Sequence, residues 1–387
     1  MNIACYMVCL ISLLIFLSQC APQKGNDCLI ISGIDNNPID CPLSGISSDI
    51  SYVKLDSKVL IDQISKVQIC SDKIILKAKS VGILAYDLNG NFISRIGGFG
   101  NGPGEYTKSF STFTANSKGT LVYILDHYNK IFVYSSRGIF QKSFNLNDSI
   151  LADDIFGFPD NQLLLVEGNS FGKAKFNWVI TDSTGNTKFQ KRNYIKFSAT
   201  RFAGPSPENI VISNAGSFIY FEQYNDTIFQ VSPNSYRNYA IFKFNDIRLT
   251  PEISGKEGPI GAGNKYFLPL NIFRLKDDLF FQYFFNLKIN LAKFDSESQK
   301  LRVINSDSKL GCFTNDIDGG LPFDLCISSD QILLGWFSPF QLKAHVASEA
   351  FKNSTPKYPE KKKALEKLAN SLNEIDNPVL MLVKLKE

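Results

Sequence analysis

Histidine is almost missing from this sequence: only His127 and His345 occur in 387 residues. So few leave no legible Ser-His-Asp or Cys-His arrangement. None of the eight cysteines forms a C-x-x-C pair, so a zinc site has neither of its usual ligand types at usable spacing. Charge of one sign is also scarce. The 41 Lys and Arg against 37 Asp and Glu give a net charge of +4, spread along the chain, which argues against a nucleic-acid partner. Tryptophan (2) and methionine (3) are rare, whereas phenylalanine (32) and tyrosine (15) are plentiful. Aromatic and β-branched side chains suit the pleated, half-buried surface of a strand. A 44% hydrophobic and 20% charged composition supports a sizeable core and excludes general disorder. The length would fit two average domains, but large all-β folds also reach it as one.

Residues 1–19 hold no Lys or Arg, and residues 3–17 form an apolar run. That run is short for a bilayer span and right for a signal-peptide core. Leu17-Ser18-Gln19-Cys20 resembles a lipobox, which implies cleavage before Cys20 and acylation of its thiol. Gln19 stands where Gly or Ala is usual, a looser form that resembles the lipoproteins of Bacteroidetes. The expectation is a signal peptide over 1–19 and a lipidated tether with a connecting loop over 20–49, a stretch rich in Gly, Pro, Ser, Asn and Asp. An uncleaved anchor is the alternative. In an oxidising compartment the spacings allow disulfides Cys28–Cys41 and Cys312–Cys326, against buried thiols in strands, an alternative stronger for Cys70 and Cys326.

Internal repetition carries the fold. From residue 60 to 96, four short apolar runs are separated by turns at Ser71-Asp72-Lys73 and Leu88-Asn89-Gly90-Asn91. Asn-Gly supplies the positive φ that hairpins favour. A four-stranded meander of about forty residues is one propeller blade. The pattern recurs over 110–144, 154–191, 208–244 and 265–304, and again from about 323. The chain is therefore expected to be all-β, a six-bladed β-propeller of four-stranded antiparallel blades over 50–387. Helical spacing of Ala364, Leu365, Leu368, Ala369 and Leu372 predicts an amphipathic helix over about 358–375, inserted in the last blade. A strand at 379–383 and one at 51–55 should complete that blade together and join the chain ends.

Gly100-Asn101-Gly102-Pro103-Gly104-Glu105-Tyr106 departs from G-x-G-x-x-G and precedes no helix, so it reads as a structural turn between blades. Within Asn315-Asp316-Ile317-Asp318-Gly319-Gly320, the side chains of Asn315, Asp316 and Asp318 are candidate ligands for a polar molecule or a divalent cation such as calcium. It is not an EF-hand loop, since Leu321 and Ile327 occupy the glycine and glutamate positions. The competing reading is a turn whose acids satisfy local backbone donors. Lys361-Lys362-Lys363 suits either anionic headgroups or, more simply, a solvated helix face. Asp148-Ser149-Ile150, Asp182-Ser183-Thr184 and Asp226-Thr227-Ile228 resemble the short O-glycosylation motif of exported Bacteroidetes proteins.

The strand ending Phe92-Ile93-Ser94-Arg95-Ile96-Gly97, with the glycine-rich string after it, resembles the first-blade signature of the six-bladed β-propeller lipoproteins of Bacteroidetes, distant relatives of NHL-repeat propellers. Asn315–Phe323 and the terminal Asn377-Pro378-Val379-Leu380-Met381-Leu382-Val383 are similar to two further strings of that family. The resemblance implies a propeller over the mature chain, held by lipid at the outer membrane on its periplasmic or surface face. The functional expectation is a binding or scaffolding module for a protein, peptide or glycan, with no cofactor. The alternative is a metal-assisted hydrolase or lyase, resembling propeller lactonases that hold one divalent ion at the central channel.

Overall fold

A computed structural model describes residues 28–386, apart from 109–110, 128, 199–206, 255, 257–264, 276–277, 307–310, 324–326 and 330. The signal peptide, Cys20 and Cys326 lie outside the described residues.

Six small sheets form the blades of a β-propeller. The first is the antiparallel meander Ile64–Ile69, Lys73–Ala78, Gly82–Asp87 and Phe92–Ile96. The second runs over Thr112–Ala115, Leu121–Asp126, Lys130–Ser135 and Phe140–Asn145. The third comprises Asp154–Gly157, Leu163–Val166, Phe176–Thr181 and Thr187–Arg192. The fourth is Asn209–Asn214, Ser217–Glu222, Thr227–Ser232 and Ser235–Phe242; the fifth is Leu268–Leu275, Asp278–Phe285, Lys288–Asp295 and Lys300–Ile304. In each, the first strand lies nearest the axis.

Blade stacking explains the pattern of side chains. A middle strand is covered on both faces, so it reads as an unbroken apolar run. Leu163–Val166 is buried at every position, whereas the outermost strand of the same blade, Thr187–Arg192, has every residue exposed or half-buried. Turn glycines serve the same stacking. A Cβ on Gly90 (φ +86°) would stand 2.1 Å from the Lys54 carbonyl oxygen, and one on Gly138 (φ +80°) 2.2 Å from that of Arg95. Each turn thus rests on the outer strand of the preceding blade, closer than any side chain permits.

The sixth blade closes the ring. Its strands are Ile327–Ser329, Ile332–Phe337, Val379–Leu385 and, from the other end of the chain, Ser47–Lys54. Val379 faces Lys54 and Lys384 faces Asp49 in antiparallel register. The outermost strand therefore comes from the N-terminal side, as the sequence predicts.

Two regions depart from expectation. Residues 28–46 do not form a simple loop. Leu29–Ile31 adds a parallel fifth strand to the fourth blade, beside Ala240–Phe242, and Gly33–Ile39 adds one to the fifth blade, beside Lys300–Ile304. An open blade edge presents unpaired N–H and C=O groups, and this segment satisfies them. A single helical turn, α1 (Leu43–Ile46), follows. Cys28 and Cys41 are consequently carried to different sheets, and both are free thiols; the expected pairing is not formed. Cys312 is buried.

The second departure is the insertion between Phe337 and Val379. It holds three helices rather than one: α2 (Pro339–Ala347), α3 (Glu349–Asn353) and α4 (Pro359–Asn370). The predicted helix at 358–375 corresponds to α4 but ends earlier, at a C-cap on Ser371. Leu342, Val346, Phe351, Leu365, Ala369 and Leu372 pack with Val379 into a small core of their own. Among the described residues, no helix is long and apolar enough to cross a membrane.

Candidate functional site

The glycine-rich string is a closed crossing from the first blade to the second. Gly98–Phe99 pairs in parallel with Glu105–Tyr106, and the Glu105 carboxylate accepts from the Gly102 N–H at 2.8 Å. A Cβ on Gly100 would lie 2.0 Å from that carboxylate, which explains glycine there. Tyr106 is fully buried; its hydroxyl donates to the Ile96 carbonyl (3.0 Å) and accepts from the Ile83 N–H (3.2 Å). Burial pushes that phenol up to about 12. The polar groups of the string thus tie the crossing to itself and to the two blades beside it.

Asn315, Asp316 and Asp318 are also largely turned toward local donors, as in the turn reading of this string. They lie between the fifth and sixth blades, away from the axis. The Asp316 carboxylate accepts from the N–H (2.9 Å) and hydroxyl (2.6 Å) of Ser44 at the start of α1. Asp318, 1% exposed, accepts through Oδ1 from Asn315 Nδ2 (2.7 Å) and the Gly320 N–H (2.8 Å). Burial raises its pKa, opposed by those donors. The carbonyls of Asp316 and Ile317 receive the N–H groups of Lys357 and Tyr358, and the Gly319 carbonyl lies 2.8 Å from His345 Nε2. The string fastens α1 and the helical insertion to the ring. Most of these oxygens are taken up by partners within the string and its neighbours, while Asp318 Oδ2 is buried without a hydrogen-bond partner.

An open concavity lies on the propeller axis. It has a volume of about 320 Å³ and is walled by the innermost strands and first turns of the first four blades, with Ile332 and Leu334 from the sixth. Val67, Phe156, Val211, Phe218 and Leu334 make most of the wall apolar, with the hydroxyls of Thr114, Ser117 and Ser213 among them. Gln68 locks two innermost strands edge to edge, donating to the Ala115 carbonyl (2.9 Å) and accepting from its N–H (2.8 Å). At the inner end stands Lys66. Its ammonium contacts Asp154 at 2.6 Å, the Ile155 carbonyl at 3.2 Å and Thr112 Oγ1 at 3.4 Å, and lies 4.5 Å over the Phe156 ring. Beyond Lys66 the wall is apolar and dotted with hydroxyls. Sequence reasoning missed it because Lys66 and Asp154 are 88 positions apart and each strand offers only a few residues to the axis.

A second polar feature unites the third and fourth blades. Glu222, 3% exposed, accepts from Asn177 (2.6 Å), Asn169 (3.1 Å) and Asn193 (3.5 Å). Glu167, equally buried, accepts from the N–H groups of Lys175, Leu151 and Phe176 at 2.9–3.1 Å. Asp153 accepts from the Gly168 N–H at 2.5 Å, and Glu208 from the Ser170 hydroxyl. Burial raises the pKa of all four carboxyls. They brace the loops that cross between these blades. Among the described residues, no three His, Cys, Asp or Glu side chains stand together in a way that would hold a metal ion.

Comparison with known proteins places this geometry among relatives. The family described as "Domain of unknown function (DUF4934)" matches residues 30–384. No curated protein matches. A solved structure of a putative exported protein from Bacteroides fragilis NCTC 9343 is similar, at 18% identity and a TM-score of 0.68, over 92% of this chain and 100% of that one. A member of the DUF4221 family from Bacteroides vulgatus ATCC 8482 is similar at 11% identity and a TM-score of 0.50, over 88% and 97%. At these identities the likeness is one of fold.

Proposed function

Since the chain belongs to the DUF4934 family, we propose that it is an exported, lipid-anchored binding module that seats a segment of a partner protein or peptide in its axial cavity. The observation that carries this is the cavity itself: about 320 Å³, mostly apolar, with a few hydroxyls. Small-ligand and side-chain pockets have this size and character. A peptide suits it better than a glycan. An apolar side chain fills the wall, and backbone amides meet the hydroxyls. A sugar would need a denser set of planar polar groups. The cation at the inner end, Lys66, is already committed to Asp154. The metal-assisted hydrolase has no comparable support in a donor set among the described residues.

Export and anchoring rest on the apolar run at 3–17 and on Leu17-Ser18-Gln19-Cys20. The likeness to a protein described as exported agrees with them. The test is capture of a partner from native envelopes by the wild type and by Val211→Trp, which fills the cavity. The filled variant should fold normally and lose the partner; equal capture by both would refute the seat. Fatty-acid labelling that survives Cys20→Ala would refute the anchor.

A further inference from the structure

Lys191 lies on the outermost strand of the third blade, with its ammonium inside an enclosure of aromatic rings. Nζ is 4.9 Å from the centroid of Phe229, 5.6 Å from Tyr236, 5.7 Å from Trp178 and 5.8 Å from Tyr194. Trp178, Phe229 and Tyr236 also meet one another edge to face, at interplanar angles of 61°, 84° and 76°. They form three steep walls drawn from two blades, with Trp178 fully buried at the back. Tyr194 (79% exposed) and Tyr236 (43% exposed) stand at the solvent side.

The present occupant fits this enclosure poorly. A lysine ammonium has three donors, and Lys191 Nζ has no hydrogen bond or ion pair among the described residues. Ring faces attract its charge but accept those donors weakly, and the half-buried side chain gives up part of its hydration to lie there. Burial accordingly lowers its pKa, against the attraction of the nearby Glu222. A quaternary ammonium carries the same charge with no donors to satisfy, the chemistry that aromatic cages recognise. The four-carbon lysine stem is flexible and its strand is at the blade's edge, so the side chain has a path to solvent.

We propose that Trp178, Tyr194, Phe229 and Tyr236 form a binding site for a small methylated ammonium ion of the tetramethylammonium or choline kind, with Lys191 as a built-in occupant that the ligand displaces. This site is separate from the axial cavity, since none of its four rings lines that cavity.

Titration of the full mature chain with tetramethylammonium and with choline, followed by calorimetry, tests the assignment. Wild type should bind saturably. Lys191→Ala, which removes the competitor, should bind about tenfold tighter, and Tyr236→Leu, which keeps bulk but removes a ring face, about two- to fivefold weaker. Neutral 3,3-dimethylbutanol, of the same shape as choline, should bind neither protein comparably. Absence of binding in wild type and Lys191→Ala alike would overturn the proposal, as would equal binding of the neutral isostere. Binding by Lys191→Ala alone would overturn it too, since the lysine would then be a permanent wall. Co-sedimentation with phosphatidylcholine vesicles without binding of free choline would assign the site to a lipid headgroup and contradict the small-ion form.

Discussion

Asp153, Glu167, Glu208 and Glu222 have exchanged most of their hydration for amide, hydroxyl and backbone donors, and the exchange is incomplete. All four carry pKa values raised by burial. Between the unfolded carboxyl value, about 4, and these raised values, the folded state binds more protons than the unfolded one. Stability is therefore fully present below that window and is lost as pH rises through it. Acids with lowered pKa, such as Asp49 beside Lys361 and Asp376 beside Lys54, lose their contribution only below about pH 4. The thermal midpoint should thus fall as pH rises through that window, and Glu222→Gln should show a smaller fall. Parallel curves for the two proteins would remove Glu222 from the account. Residues of this kind were the least legible in the sequence. Asp316 and Asp318 read equally as candidate ligands or as a turn whose acids meet local donors, and the burial and donors around them are not revealed by composition. The glycine-rich string was legible because its glycines answer to local backbone geometry.

Elements were legible in proportion to how locally they are specified. The four-strand meanders announce themselves through turn chemistry and apolar runs. The parallel strands Leu29–Ile31 and Gly33–Ile39 do not, because edge addition uses backbone hydrogen bonds and leaves most side chains half-buried or exposed. The insertion shows the opposite case. Ser338-Pro339-Phe340-Gln341 spells a capping box with proline at the first helical position, and the structure contains it. The Ser338 hydroxyl accepts from the Gln341 N–H (3.3 Å), while the Gln341 side-chain oxygen Oε1 accepts from the Ser338 N–H (2.8 Å). Ser338→Ala should cost about 1 kcal/mol, seen as a lower urea midpoint at unchanged slope. A midpoint equal to wild type would mean that packing of Leu342 and Val346, rather than the cap, holds α2 to the ring.

At the scale of the molecule, the ring and its closure follow from repetition and from the two strands left over at the chain ends. Val379–Leu385 pairing with Ser47–Lys54 ties residues more than three hundred positions apart, so the fold is complete only when both ends are present. The axial cavity takes a few side chains from each of five blades, so its character emerges only when the ring is assembled. The most direct test of the binding account places a photoreactive benzophenone side chain at Ser213, on the cavity wall, or at Glu360, exposed on the distant α4. After irradiation in native envelopes, the account predicts one discrete cross-linked partner from position 213 and none from 360. The same adducts from both positions, or none from position 213, would contradict it.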